Sequence, residues 1–217
     1  RLLTCQHHTR SITRTEYDGS ITTLADRFEG KRLNSPNDIV CKSDGSIWFT
    51  DPSFGILDFY MGVKAPSEIP THVYRLSPNG DLSIVAEGIN QPNGLAFSPD
   101  EAVLWIVASR AAPRTILAYN VIDGQSLDQA RTLSEAEPDG TPDGLRVDIH
   151  GNLWCGWGMG TGALDGVHVF NPAGDLIGHI ELPERCANVC FGGLHRNRLF
   201  MAASTSIYSL YVNTQGL

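Results

Sequence analysis

The feature that most restricts what this 217-residue chain can fold into is an internal repeat. Four segments share one layout: an Asn or Asp after a Pro or small residue, an apolar strand, a turn, then an aromatic strand. They run from Pro36-Asn37-Asp38-Ile39-Val40 to Ile47-Trp48-Phe49-Thr50, and from Pro92-Asn93-Gly94-Leu95 to Leu104-Trp105-Ile106-Val107. The third runs from Pro142-Asp143-Gly144-Leu145 to Leu153-Trp154-Cys155-Gly156, and the fourth from Ala187-Asn188-Val189-Cys190 to Leu199-Phe200-Met201-Ala202. From polar residue to aromatic the spacings are 11, 12, 11 and 12, and the polar residue recurs after 56, 50 and 45 positions. Between the repeats lie further strand-turn-strand pieces, such as His72 to Leu76 with the turn Pro78-Asn79-Gly80-Asp81, and Val167 to Phe170 with Pro172-Ala173-Gly174-Asp175. The glycines of these turns supply the positive φ that a tight hairpin demands.

A period of about 50 residues holding four short strands is that of a propeller blade. An all-β sandwich does not repeat one unit four times at this spacing. The expected fold is therefore an all-β propeller in a single domain, 1–217. Arg1 to Cys5 reads as the second strand of a blade, with Ser11 to Thr15 and Ile21 to Leu24 as its third and fourth. Ser206 to Tyr211 reads as a third strand, and Ser126 to Ala136, whose apolar spacing fits no helix, as loop. For a parent of six such blades the chain holds roughly four and a half, so it reads as N-terminally incomplete by roughly 70 to 80 residues.

Composition narrows the partners. Sixteen Lys and Arg against 24 Asp and Glu give a net charge of −8, which argues against nucleic acid or an anionic membrane surface. No run of 18 apolar residues offers a transmembrane helix. The odd set Cys5, Cys41, Cys155, Cys186 and Cys190 reads as reduced core or near-core thiols, which favours the cytoplasm over the periplasm or secretion.

The repeat turns sequence equivalence into expected convergence, because the first strand of each propeller blade lines the central channel. Asn37, Asn93, Asp143 and Asn188, read as one register position, are expected to ring that channel. Carboxylate and amide oxygens around an open centre suit one hard divalent cation, Ca²⁺ first and Zn²⁺, Mn²⁺ or Mg²⁺ as alternatives. The rival reading is ordinary turn chemistry, since Asn-Gly and Asp-Gly are common turn dipeptides. Four such residues, each leading into a strand, favour a site. Trp48, Trp105 and Trp154 read as core between blades, and the seven histidines share no register. Around the channel mouth, Trp157 and Met159 in the loop Gly156 to Gly162 read as pocket wall or plain packing. Phe54 to Met61 could form a lid, and Arg110 either faces substrate or is simply solvated.

These motifs, Asn34-Ser35-Pro36-Asn37-Asp38 with Trp48-Phe49-Thr50-Asp51-Pro52, Gln91-Pro92-Asn93-Gly94, Thr141-Pro142-Asp143-Gly144 and Ala187-Asn188-Val189, resemble the gluconolactonase and senescence-marker-protein (regucalcin-like) family, in its bacterial gluconolactonase branch. The resemblance runs nearly the whole length. It implies a six-bladed propeller with one catalytic divalent metal in the channel. It also implies Asn93 and Asp143 as direct metal ligands, and Asn37 as a residue that reaches the metal through water or binds substrate. The family's further ligand, a Glu of the first blade, has no counterpart here; neither Glu16 nor Glu29 lies in its motif.

The implied reaction is hydrolysis of a small-molecule lactone, an aldonolactone such as glucono-1,5-lactone, to the open acid. A divalent cation suits it by polarising the ester carbonyl. Asp143 is then both ligand and the catalytic group that orients or deprotonates the attacking water. An organophosphate-hydrolysing propeller, or a non-catalytic propeller that binds Ca²⁺ or a protein partner, are the alternatives.

Overall fold

The computed structural model describes residues 1–160 and 162–217. Thr161, inside the expected Gly156 to Gly162 loop, lies outside the described residues. The chain divides into two compact units, Arg1–Asn93 and Gly94–Leu217.

The first unit opens with a three-stranded antiparallel sheet, β1 (Leu2–Gln6), β2 (Ser11–Thr15) and β3 (Ile21–Ala25), followed by the two-stranded ribbon β4 (Arg27–Phe28) and β5 (Lys31–Arg32). A four-stranded meander comes next: β6 (Ile39–Cys41), β7 (Ile47–Asp51), β8 (His72–Leu76) and β9 (Leu82–Ala86). Between β7 and β8 stands the one short helix among the described residues, α1 (Phe54–Leu57). Ile12, Leu33, Phe49, Ile69 and Tyr74 form this unit's core, with Phe49 and Tyr74 stacked at 5.4 Å.

The second unit continues the pattern. β10 (Pro92–Phe97), which starts on the last residues of the first unit, pairs with β11 (Val103–Ala108), and β11 with β12 (Thr115–Ile122). Both β13 (Ser126–Leu127) and β14 (Arg131–Glu135) add to the outer side of β12. Then come the meander β15 (Leu145–Val147), β16 (Leu153–Trp157), β17 (Gly166–Phe170), β18 (Leu176–Glu181), and the three strands β19 (Cys186–Gly192), β20 (Arg198–Ala203), β21 (Ile207–Tyr211). Five up-and-down sheets in succession are five propeller-type blades.

The pattern of burial explains why the repeat was visible. The second strands β7, β11 and β16 are almost wholly buried and so are mostly apolar: in β11, all but Val103 are buried. Outer strands need few apolar residues, and that is why β13 and β14 replace the loop expected over Ser126 to Ala136. Within β14 only Leu133 packs on the core. Trp48 and Trp105 are buried, and Trp154 is half-buried against Phe191 at 5.5 Å, as core residues should be. The thiols divide: Cys155 and Cys186 are buried and Cys5 half-buried, whereas Cys41 and Cys190 are exposed. These two lie on inner strands, on positions that face away from the core.

Candidate functional site

The backbone ladder shows which residues occupy equivalent places. Asn37 N donates to Thr50 O (2.9 Å) and Thr50 N to Asp38 O (3.0 Å); Asp143 N donates to Gly156 O (3.0 Å) and Gly156 N to Gly144 O (2.9 Å). Both residues therefore stand on the last rung before their inner strand. Asn93 holds the matching place on β10. It precedes by five residues the turn residue Ser98, whose N–H meets Val103 O, as Asp143 precedes Asp148, whose N–H meets Asn152 O.

Asn188 does not share that register. Cys190 pairs with Phe200 in β19, where Arg146 pairs with Trp154 in β15, so Asn188 corresponds to Gly144 and Ala187 to Asp143. The shift falls at a bulge between Cys186 and Asn188, and one more paired rung in the β19–β20 hairpin, Gly192 with Arg198, hides it in the residue count. A slip of one residue turns a strand side chain to the opposite face. Asn188 Oδ1 accepts from its own neighbour Val189 N (2.8 Å), and its amide lies on Gly144. The ring expected of four residues loses Asn188.

The glycines after Asn93 and Asp143 settle the turn alternative. Neither Gly94 nor Gly144 has a positive φ, so neither serves a turn. A Cβ on Gly94 would stand 2.2 Å from Asp143 O, and one on Gly144 2.2 Å from Asn188 Cγ. Gly144 N also donates to Ala187 O (2.8 Å). Glycine fits both places because a Cβ would meet backbone at 94 and the Asn188 amide at 144.

Side-chain surroundings then distinguish the three remaining candidates. Asn93 is only 7% exposed and Asn37 half-buried, while Asn34 and Asn188 both use their side chains locally. Asp143 has a side chain 15% exposed, and Arg185 Nη2 lies 2.7 Å from its Oδ2. The carboxylate thus stands directly against a guanidinium. Arg185 was not legible in the sequence, being 42 positions away in an irregular link between β18 and β19. Among the described residues no three His, Cys, Asp or Glu converge on one point. The donors at hand are amide oxygens and one carboxylate, a hard oxygen set that fits Ca²⁺ or a similar divalent ion.

Comparison with known proteins shows the family. Residues 1–205 match the SMP-30/Gluconolactonase/LRE-like region. The chain belongs to that family. A gluconolactonase of Zymomonas mobilis is 33% identical over 206 residues, covering 90% of this chain and 55% of that protein. The pentonolactonase XacC of Haloferax volcanii is 25% identical, covering 92% of this chain and 65% of its own length. A solved gluconolactonase structure from Xanthomonas campestris superposes with a TM-score of 0.88 at 41% identity, over 97% of this chain and 68% of that one. This chain therefore spans between about half and two thirds of the length of these relatives.

The other residues weighed in the sequence sort by their contacts. Glu16 is taken up by Arg1 (2.8 Å) and Arg14 (2.7 Å), which hold its carboxyl down at about 2, and Glu29 lies in an exposed turn with φ 50°. Trp157 is core, 1% exposed and stacked on His168 at 4.4 Å, while Met159 and Arg110 are exposed. The expected lid is rooted, with Phe54, Gly55 and Ile56 buried and only Leu57 to Met61 exposed. Ser35 Oγ donates to Pro52 O (2.6 Å) and accepts from Gly55 N (2.9 Å), fixing that root to the Asn34 to Asn37 segment. Behind it, Asp51 Oδ2 accepts from Asn34 N (2.8 Å), and Arg10 Nε donates to Leu33 O (2.7 Å) and Asn34 O (3.0 Å). This buried polar cluster, which sequence reading did not single out, aims the Asn37 loop.

Proposed function

We propose that the protein opens sugar lactones at a divalent cation held by Asn93 and Asp143, in a six-bladed propeller of which these are five blades. The observation that carries the reading is the shared ladder position of Asn93, which is 7% exposed, and the Asp143 carboxylate. The relatives named gluconolactonase and pentonolactonase support a lactone as the substrate class. The same oxygen donors favour Ca²⁺ over zinc-type ions.

Lactone opening needs a polarised carbonyl and a water stripped of a proton. A bound divalent ion supplies Lewis acidity toward that carbonyl. Asp143 orients the water and accepts its proton, a general-base role that contributes about 10²–10⁴-fold. Asn93 would hold the ion through its amide oxygen, and Asn37 would bind the ion or a sugar hydroxyl. The glycines at 94 and 144 keep the intervening strands close enough for these groups to be held by backbone rather than by loops.

A panel of lactones and phosphotriesters assayed with Ca²⁺, Zn²⁺, Mn²⁺ and Mg²⁺ tests the reading. Turnover of glucono-1,5-lactone that needs the added ion and stops with EDTA is the expected result. Phosphotriester turnover without lactone turnover would overturn the substrate class, and full activity in EDTA would overturn the metal.

A further inference from the structure

We propose that Arg185 is a resident counter-cation of Asp143 that competes with the divalent ion and sets how weakly the centre holds it. The inference rests on Asp143 being a ligand, as proposed above. Arg185 Nη2 and Asp143 Oδ2 are 2.7 Å apart, a charge-assisted hydrogen bond. The pair is partly shielded, with side chains 38% and 15% exposed, so solvent does not cancel its field as it would on an open surface.

Arg185 is also held in place. Its carbonyl accepts from Ser204 N (3.1 Å) and Ser204 Oγ (3.5 Å). On one side Glu184 is fixed by Thr205 N (2.8 Å), Thr205 Oγ1 (2.8 Å) and the Tyr208 hydroxyl (3.0 Å). On the other, Cys186 is fully buried. The backbone therefore delivers the guanidinium to Asp143 from two anchored neighbours. The Arg185 Nε–H is buried without a partner among the described residues, so the ion pair with Asp143 is what the side chain gains by this placement.

A divalent ion approaching Asp143 must either displace this guanidinium or sit beside it. The first costs the ion pair and the second costs like-charge repulsion, so both weaken metal binding. A positioning role alone has the opposite consequence: without Arg185, Asp143 would be less well oriented and would bind metal less tightly. The sign of the change separates the two.

The test is calorimetric titration of the metal-free chain with Ca²⁺ and with Mn²⁺, for wild type, R185Q, R185K and D143N, each first checked for a cooperative melt. R185Q is expected to bind about tenfold more tightly than wild type, the scale of one hydrogen bond between charged groups. R185K, with a shorter reach and no forked donor, should fall between them, and D143N should not bind. If D143N is silent while R185Q binds equally or less tightly, the competitor role is overturned and the metal reading stands. If R185Q does not fold, R185K decides by the same comparison. Wild-type affinity in D143N, or no binding by wild type, removes Asp143 as ligand and Arg185 as competitor together.

Discussion

At the scale of single residues, the proposed chemistry rests on Asp143. D143N keeps the shape and removes the base, so kcat/KM for lactone should fall about a thousandfold, read by proton release. Two other residues give the fold a pH dependence, and they act in opposite directions. His168 is 3% exposed, and burial, aided by the neighbouring His179 and opposed by Glu137, pushes it down to about 4. The unfolded chain then takes up a proton more readily. Stability from this group rises with pH between about 4 and 6.5, by up to about 3 kcal/mol. Asp51 is fully buried, and burial pushes it up to about 7 against the hydrogen bonds from Asn34 and Ser35 and the charge of Arg10. It is neutral in the fold, so its contribution is complete below 3.8 and is lost as pH rises toward 7, by up to about 4 kcal/mol. Over the shared window the two nearly cancel. Urea unfolding of wild type should differ little between about pH 4.5 and 6.5, whereas D51N should be more stable at the upper value by about 2 kcal/mol. A flat D51N profile would show that His168 is not the opposing group.

At the scale of elements, the inner strands are defined by how closely they approach. A Cβ on Gly94 meets a backbone oxygen, which no side-chain change can move, and one on Gly144 meets the removable amide of Asn188. G94A and G144A should each lose about 1–3 kcal/mol in denaturant unfolding. N188A should rescue G144A and leave G94A unchanged, a coupling that a double-mutant cycle measures. The blades were legible because the second strands β7, β11 and β16 are almost wholly buried and so are written mostly in apolar residues. Outer strands were not: β14 has one core residue, Leu133, and no periodicity to detect. The slip of Asn188 was hidden for a related reason. Residue counting registers only the sum of strand and turn lengths, so a bulge at Ala187 and one more paired rung in the β19–β20 hairpin together gave the spacing of a true equivalent.

At the scale of the molecule, a cation that binds only the folded chain must stabilise it. At a Ca²⁺ concentration about a hundredfold above Kd the gain is about 2.7 kcal/mol, a rise in Tm of about 5–10 °C, and D143N should show none of it. The sequence by itself determined the all-β repeat, the five second strands, the family, and the common position of Asn37, Asn93 and Asp143. Each of these follows from burial or from backbone register, which recur with the repeat and so leave a periodic trace. Only the tertiary structure decided that Arg185 pairs with Asp143, that Asn188 stands one rung out, and that the glycines at 94 and 144 serve close approach rather than turns. Those outcomes depend on which groups meet across neighbouring blades, 42 residues apart in the case of Arg185. A contact of that kind is made once, by packing, and no spacing along the chain repeats it.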